Sequence, residues 1–439
     1  MAAAFRERRR HLAFGIRHSG RVFQRPASGY LGWLLAAALG ARVAIAGGAW
    51  LHPERFLAEE DSVEYVRLAR NLAAGHGFSQ SAAAPYEPDV RRTPVYPSML
   101  ATVFLLPGAG TRTAAIAGIA ISVLTVVATF GLARALAGPA TASWAAALIA
   151  IDLTSAAYAG QVLTEPLFTL LLVLSFAPLV EREPDPSRSR AAVSAGALSG
   201  LAALCRPIAV LAFAALAPAC RLRSATLSGA ARLFAIVTVT AIALTAGWTL
   251  RNYRATGTAT VSSVAATNMY FHRAAYVEAY LQNRRVEDLR DEWQRDFEAR
   301  SSTWTERERL QWMNDHGRGA VLRHPFVYGW VALRSAARML TPDHIVLSAL
   351  TGGYGSAAFR ILRAAGWIQL AIVYVLAAAG ARRLWRVSPL RAAVLAAPIA
   401  YFLLIGGPEM YPRFRVPIMP FICVFAGAGL AAPVAERAS

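Results

Sequence analysis

Residues Tyr30–Leu51 read YLGWLLAAALGARVAIAGGAWL, an apolar run carrying a single charge at Arg42. Roughly 20 helical residues, at 1.5 Å each, cross about 30 Å of hydrocarbon, so this run reads as a membrane span. Its basic flank resembles that of a signal peptide, but the run is too long for the usual apolar region of one, so an uncleaved first span is expected. Working outward, comparable runs recur at Ala114–Ala137, Ala140–Ala159, Val162–Val180, Ala191–Ala219, Leu233–Leu250, Ala364–Ala381, Ala392–Ile405 and Phe414–Ala432. With 56% hydrophobic and only 16% charged residues in 439, the chain is more apolar than an ordinary soluble domain.

The net charge of +19 comes from arginine spread over short inter-span segments, not from one basic face. It therefore argues for membrane orientation and against nucleic acid as a partner. Seven arginines, from Arg6 to Arg25, precede Tyr30 against the single acid Glu7, which by the positive-inside rule puts this flank in the cytoplasm. The loop His52–Arg92, with seven acids against five arginines, then lies outside. Ala191–Ala219 is long for one span and short for two. Reading it as two short helices turning near Arg206 keeps Arg221, Arg223 and Arg232 on the inner side with Arg382, Arg383, Arg386 and Arg391.

The expected fold is an all-α polytopic membrane protein of about ten transmembrane helices with both termini in the cytoplasm. Residues 1–250 form a transmembrane core with the first outer loop at 52–92, residues 251–343 a mostly helical extracytoplasmic region, and residues 344–439 the last spans. Val95–Leu106, flanked by Pro94 and Pro107, is too short to cross and reads as an outer-face juxtamembrane helix. Glu287–Trp312 reads as one amphipathic helix and Phe326–Leu340 as an interfacial one. Cys205, Cys220 and Cys423 lack disulfide or metal-ligand spacing.

Chemistry-bearing residues gather in the segments expected outside. Asp61 followed by Glu64 fits a capping box, with Gly75 in the left-handed position after the helix; a carboxylate so fixed beside the membrane can also accept a proton. Arg91 and Arg92 precede Thr93-Pro94, where guanidinium groups either reach up to headgroups or clamp a phosphate. Glu165 opens a span, where the helix dipole alone would favour it. Arg42 and Arg206 lie within apolar runs, where an arginine is costly and faces a polar partner. Trp248 to Tyr253 and Glu409 to Pro417 combine aromatic anchors with Arg251, Arg413 and Arg415.

Taken in order, Asp61-x3-Tyr65-x3-Ala69-x2-Leu72-x2-Gly75, Arg92-Thr93-Pro94-Val95-Tyr96-Pro97, Thr164-Glu165-Pro166, Arg206-Pro207, Trp248-x2-Arg251-Asn252 and Tyr411-Pro412-Arg413-Phe414-Arg415 resemble the GT-C class of glycosyltransferases, the polytopic enzymes that use polyprenyl-phosphate sugars. The resemblance covers most of the chain. It implies Asp61 as the catalytic base, with Glu60 the neighbouring alternative, and Arg92, with Arg91, on the lipid phosphate. Tyr96, Glu165, Arg206, Arg251, Arg413 and Arg415 are the further candidates for substrate or phosphate binding, Glu165 with the option of orienting the acceptor or a metal. Some members of the class need a divalent cation; the absence of a dense carboxylate cluster leads us to expect metal-independent chemistry.

The partners so implied are a polyprenyl-phosphate sugar and membrane lipids, with the acceptor unidentified, in a multi-pass protein of the inner (plasma) membrane whose site faces outward. Arginine in place of lysine, with abundant alanine, points to a GC-rich bacterial genome and an undecaprenyl or decaprenyl carrier. A transporter or flippase of lipid-linked sugars would use similar groups. No inverted repeat stands out in the sequence, and the polar motifs are one-sided. A non-catalytic assembly subunit is the third reading.

Overall fold

The computed structural model describes residues 28–50, 53–57, 60–181 and 188–431. The arginines from Arg6 to Arg25, and with them the basic flank that orients the first span, lie outside the described residues. Every regular element described is helical. The first half comprises α1 (Ser28–Trp50), α2 (Glu60–Ala73), α3 (Val95–Phe104), α4 (Thr111–Ala137), α5 (Pro139–Ala150), α6 (Leu153–Ala159), α7 (Glu165–Val180), α8 (Arg188–Cys205), α9 (Ala217–Arg223) and α10 (Leu227–Thr256). The second half holds the short helices Val264–Thr267 and Ala275–Leu281 and then α11 (Val286–Arg300), α12 (Glu306–Arg323), α13 (Pro325–Met339), α14 (His344–Thr351), α15 (Ala357–Val387), α16 (Pro389–Ile405) and α17 (Met419–Leu430).

The ten spans of the sequence reading are not all found as single long helices. Four described helices are long and apolar enough to cross a membrane, Thr111–Ala137, Leu227–Thr256, Ala357–Val387 and Pro412–Leu430, or five if the bent pair α5 and α6 counts as one span. Gly32–Gly47, Glu165–Val180 and Pro389–Ile405 are apolar but shorter. Local chemistry explains the interruptions. Asp152, whose Oδ2 accepts from Ser155 N at 2.8 Å, ends α5 and starts α6 at a 60° bend. Pro166 sits at the start of α7 and Pro389 at the start of α16, where a missing N–H costs nothing.

Ala191–Ala219 is traversed twice, as its charge pattern implies, but the return is not a regular α-helix. After Cys205 the chain passes Arg206-Pro207 into two 3₁₀ stretches, Pro207–Ala209 and Ala212–Leu216, before α9. Both α8 and α10 end beside the same loop: Thr93 Oγ1 donates to Cys205 O at 3.1 Å, and Arg251 Nη2 donates to Phe78 O at 3.3 Å. The segment between them must therefore run back across the bundle. The expected single helix Glu287–Trp312 is instead two, because Thr305 and Glu308 form a reciprocal capping box that starts α12 after the turn at Ser301. The helix expected over Phe326–Leu340 forms, as α13.

The centre of the bundle is α17, which packs against α15 and α5, while α8 packs against α7 and α10. Lipid offers no hydrophobic drive between helices, so close backbone contact through small residues carries the association. A Cβ on Gly380 of α15 would fall 1.8 Å from Phe425 O of α17. Arg383 of α15 donates to Ala428 O at 3.1 Å, so the C-terminal ends of these two helices lie together and the helices run parallel. Gly380→Ala should therefore lower the melting temperature in detergent by several degrees, an overpacking cost of about 1–3 kcal/mol. Gly131→Ala on α4, with open space at its Cβ, should leave melting unchanged or raise it slightly.

Candidate functional site

Helix α2 is amphipathic, burying Ser62, Tyr65, Val66, Leu68 and Ala69, and the three-to-four spacing puts Asp61, Glu64, Tyr65 and Leu68 along one side. Gly75 follows it at φ +79°, in the left-handed conformation the sequence implies. The capping role expected for Asp61 is not what the structure contains. The helix already begins at Glu60, so Asp61 sits inside the first turn and its carboxylate turns to arginines instead.

Two clasps present those arginines. Asp89 Oδ1 accepts from Arg91 N at 3.1 Å and from Arg92 N at 2.9 Å, fixing a turn ahead of Thr93-Pro94. Arg251 stacks 4.7 Å over the Trp248 ring and donates to Asp89 O and Phe78 O, tying the loop to the end of α10. Arg92 then lies over the Tyr65 ring at 5.1 Å, its Nε on Glu64 Oε2 and its Nη2 on Asp61 Oδ1, each at 2.5 Å. Arg91 Nε lies 3.5 Å from the same Glu64 oxygen.

From Asp61 the alternation of charge continues inward. Arg413 Nη1 donates to Asp61 Oδ2 at 3.3 Å, Arg413 Nε and Nη2 donate to the two oxygens of Glu165, and Arg206 Nη1 donates to Glu165 Oε1. The result is a ladder, Glu64–Arg92–Asp61–Arg413–Glu165–Arg206, drawn from α2, the loop before α3, the start of α7, the end of α8 and the 3₁₀ turn Pro412–Ile418. Side-chain exposure along it is decisive. Glu165 is 0% exposed, Arg413 4% and Arg92 9%, whereas Asp61 is 32% exposed. Glu165 is thus out of reach of an incoming group, whereas Asp61 and Glu64, the latter 25% exposed, both open on the cavity, and Asp61 is the one that stands between Arg92 and Arg413. Burial opposes its ionisation, but the charges of Arg413 and Arg92 outweigh burial and hold the carboxyl down at about 2. Burial likewise opposes the charge of Arg92, and Tyr65, Asp61 and Glu64 together hold that guanidinium above its ordinary range.

The ladder forms one wall of a cavity of about 1510 Å³. The opposite wall comes from residues 262–318, including the π-helical turn Asn268–Ala274, whose Arg273 pairs with Glu409 at 3.0 Å. Pro207, Ile208, Val210, Leu211, Ile405 and Phe414 give the cavity an apolar lip. Of the sequence candidates, Glu60, Asp61, Arg91, Arg92, Arg206 and Arg413 line it. Four do not. Glu165 is sealed beneath the arginines, and Tyr96 is buried edge-on against Tyr65 with 5.0 Å between centroids. Arg251 holds the loop, and Arg415 is fully buried, donating to Met339 O, Thr341 O and Thr154 Oγ1. Arg42 likewise satisfies itself within the bundle, on Ser122 Oγ, Ala38 O and Ala150 O. The sequence reading gave Glu64 only a capping role and did not single out Arg273. The Asp61 to Glu64 spacing was the available signal for the first. Among the described residues no three His, Cys, Asp or Glu converge as a metal set.

Two outcomes follow from the ladder. Glu165→Gln leaves two arginines facing a neutral amide in the interior and should cost about 3–5 kcal/mol, read as a large fall in melting temperature. Asp61, with a lowered folded pKa, stabilises the fold above its ordinary 3.8, and that contribution is lost as pH falls towards about 2. The melting-temperature gap between wild type and Asp61→Asn should therefore be constant from about pH 5 to about pH 8 and shrink below about pH 4.

No family model matches the sequence, and no curated protein matches it. Solved structures do. The oligosaccharyltransferase of Archaeoglobus fulgidus, tethered with an acceptor peptide containing the NVT sequon, superposes with a TM-score of 0.50 at 15% identity, covering 90% of this chain and 49% of that one. ArnT from Cupriavidus metallidurans in the apo state gives 0.42 at 16%, covering 91% and 78%, and its complex with undecaprenyl phosphate gives 0.39 at 15%, over the same shares. The chain spans about half the length of the oligosaccharyltransferase structures it matches. At such identities the likeness is one of fold, and it rests on the first of these superpositions: the chain is GT-C-like in its fold, as the order of its motifs implies.

Proposed function

We propose that this protein transfers a sugar from a polyprenyl-phosphate donor to an acceptor hydroxyl, with inversion at the anomeric carbon. The carrying observation is the ladder itself: a reachable carboxylate, Asp61, flanked by the guanidinium groups of both Arg92 and Arg413 at the edge of a cavity with an apolar lip. In the reaction, Asp61 takes the proton of the acceptor hydroxyl as its oxygen bonds to the anomeric carbon. The bond from that carbon to the phosphate oxygen breaks, and the electron pair leaves on polyprenyl phosphate. Arg92, with Arg91, meets the growing negative charge, and Arg206 and Arg413 supply further positive charge on the same wall. Glu165 acts through them by fixing their positions. The likeness in fold to an oligosaccharyltransferase supports this general kind of chemistry.

The charge pattern supports an outward-facing site in a bacterial plasma membrane. Arg383 sits at the far end of α15 and α17 from Arg413, and Arg221 and Arg223 sit at the end of α9 after the return from Arg206. These arginines belong to the inner side by the positive-inside rule. The apolar lip suits the hydrocarbon of a lipid carrier, and the polar wall over residues 262–318 suits acceptor choice.

Purified protein given a radiolabelled undecaprenyl-phosphate sugar and a membrane extract as acceptor source should release undecaprenyl phosphate. Asp61→Asn should slow that release by about 10²–10⁴-fold, the span of a lost general base. Glu60→Gln, changing an exposed carboxylate outside the ladder, should stay within about threefold of wild type. Normal turnover by Asp61→Asn would remove the mechanism, and intact sugar-lipid crossing liposomes without cleavage would replace it with transport.

A further inference from the structure

The ladder sets two requirements in conflict, and resolving them assigns a role to Glu64. A base works best with a pKa near the ambient pH, yet Asp61 has each oxygen on a different guanidinium, an arrangement that weakens it as a base. A leaving phosphate, for its part, needs cations, and two of those on this wall, Arg92 and Arg413, are already occupied by Asp61. We propose that Arg92 is a shared cation, given up by Asp61 to the donor phosphate, with Glu64 as the positioning carboxylate that keeps Arg92 on the wall during the exchange. The inference rests on the glycosyl-transfer reading and adds to it how donor binding arms the base.

The geometry singles out Arg92 as the arginine that moves. Arg413 is held by two nitrogens on a single, fully buried carboxylate, Glu165, and has nowhere to turn. Arg92 divides its bonds: Nε goes to Glu64 and Nη2 goes to Asp61, on the cavity wall. Rotation about the end of its side chain can keep the first bond and swap the second. Its backbone need not shift, because Arg92 N is held by Asp89 Oδ1, Arg91 O by Ser262 Oγ, and Thr93 Oγ1 by Cys205 O. With Arg92 turned to phosphate, Asp61 keeps only the longer 3.3 Å contact to Arg413, and its proton affinity rises. The base is thus weak in the free protein and becomes effective when donor is bound.

Binding of bare undecaprenyl phosphate to the full chain in detergent tests this without knowledge of the sugar. If Asp61 competes with phosphate for Arg92, Asp61→Asn should bind the lipid about tenfold more tightly than wild type, since a charge-assisted hydrogen bond no longer has to be given up. Glu64→Gln removes the same charge from the same arginine but a bond that the exchange retains, so it should change affinity by less than about threefold. Asp61→Ser repeats the charge loss, and affinity is read from whichever Asp61 variant melts within a few degrees of wild type. Equal tightening by Asp61→Asn and Glu64→Gln would mean a general field and no exchange. Unchanged or weaker binding by a folded Asp61 variant would likewise overturn the proposal. Failure of wild type to bind the lipid at all would instead remove the glycosyl-transfer reading beneath it.

Discussion

The interaction on which the rest of this structure depends is the pairing of Glu165 with Arg413 and Arg206. A carboxylate with no exposure, opening a span, is tolerable only if its charge is met in full, and a guanidinium buried to the same depth has the same need. Each satisfies the other, and the pair fixes where three distant parts of the chain must meet: the start of α7, the end of α8 and the turn into α17. Once these are pinned, Asp61 and Arg92 have only one place to dock. The catalytic-looking surface is in this sense the outer rim of a structural ion cluster.

That dependence also separates residues that look alike in sequence. Arg413 and Arg415 stand two apart in the same short motif, and no composition or spacing distinguishes them. In the 3₁₀ turn they point into different environments, one to carboxylates at the cavity and one to backbone carbonyls of Met339 and Thr341. Glu165 shows the same limit in reverse. Its sequence context fits a charge at a helix start, and only the packing reveals that no ligand can touch it.

What was legible were properties set by local or one-dimensional rules. The all-helical architecture, the break at Arg206-Pro207 and the left-handed Gly75 follow from short-range chemistry, and the structure contains them, whereas only four or five of the ten expected spans appear as helices long enough to cross. Less legible was anything decided by competition. Asp61 had both a backbone cap and an arginine partner available, and the long-range ion pair won. The helix expected across Glu287–Trp312 was divided by Thr305, whose capping box with Glu308 lies inside a periodic pattern that carries on past it. The return from Arg206 to Arg223 kept its direction but not its regularity, since a cavity wall relaxes the need for continuous helix in hydrocarbon.

The central helix of the bundle is the last of the helices described. Residues Pro412–Leu430 are almost wholly surrounded by protein, and Arg413 at their head meets a Glu165 synthesised 248 residues earlier. Until α17 packs, the earlier helices surround a vacant core, and Glu165 has Arg206 beside it but not Arg413. Docking of α17 closes the packing and brings the second guanidinium, that of Arg413, to Glu165 in one event. The packing of the earlier helices therefore depends on a segment far from them in sequence, and loss of α17 would leave the bundle without its centre.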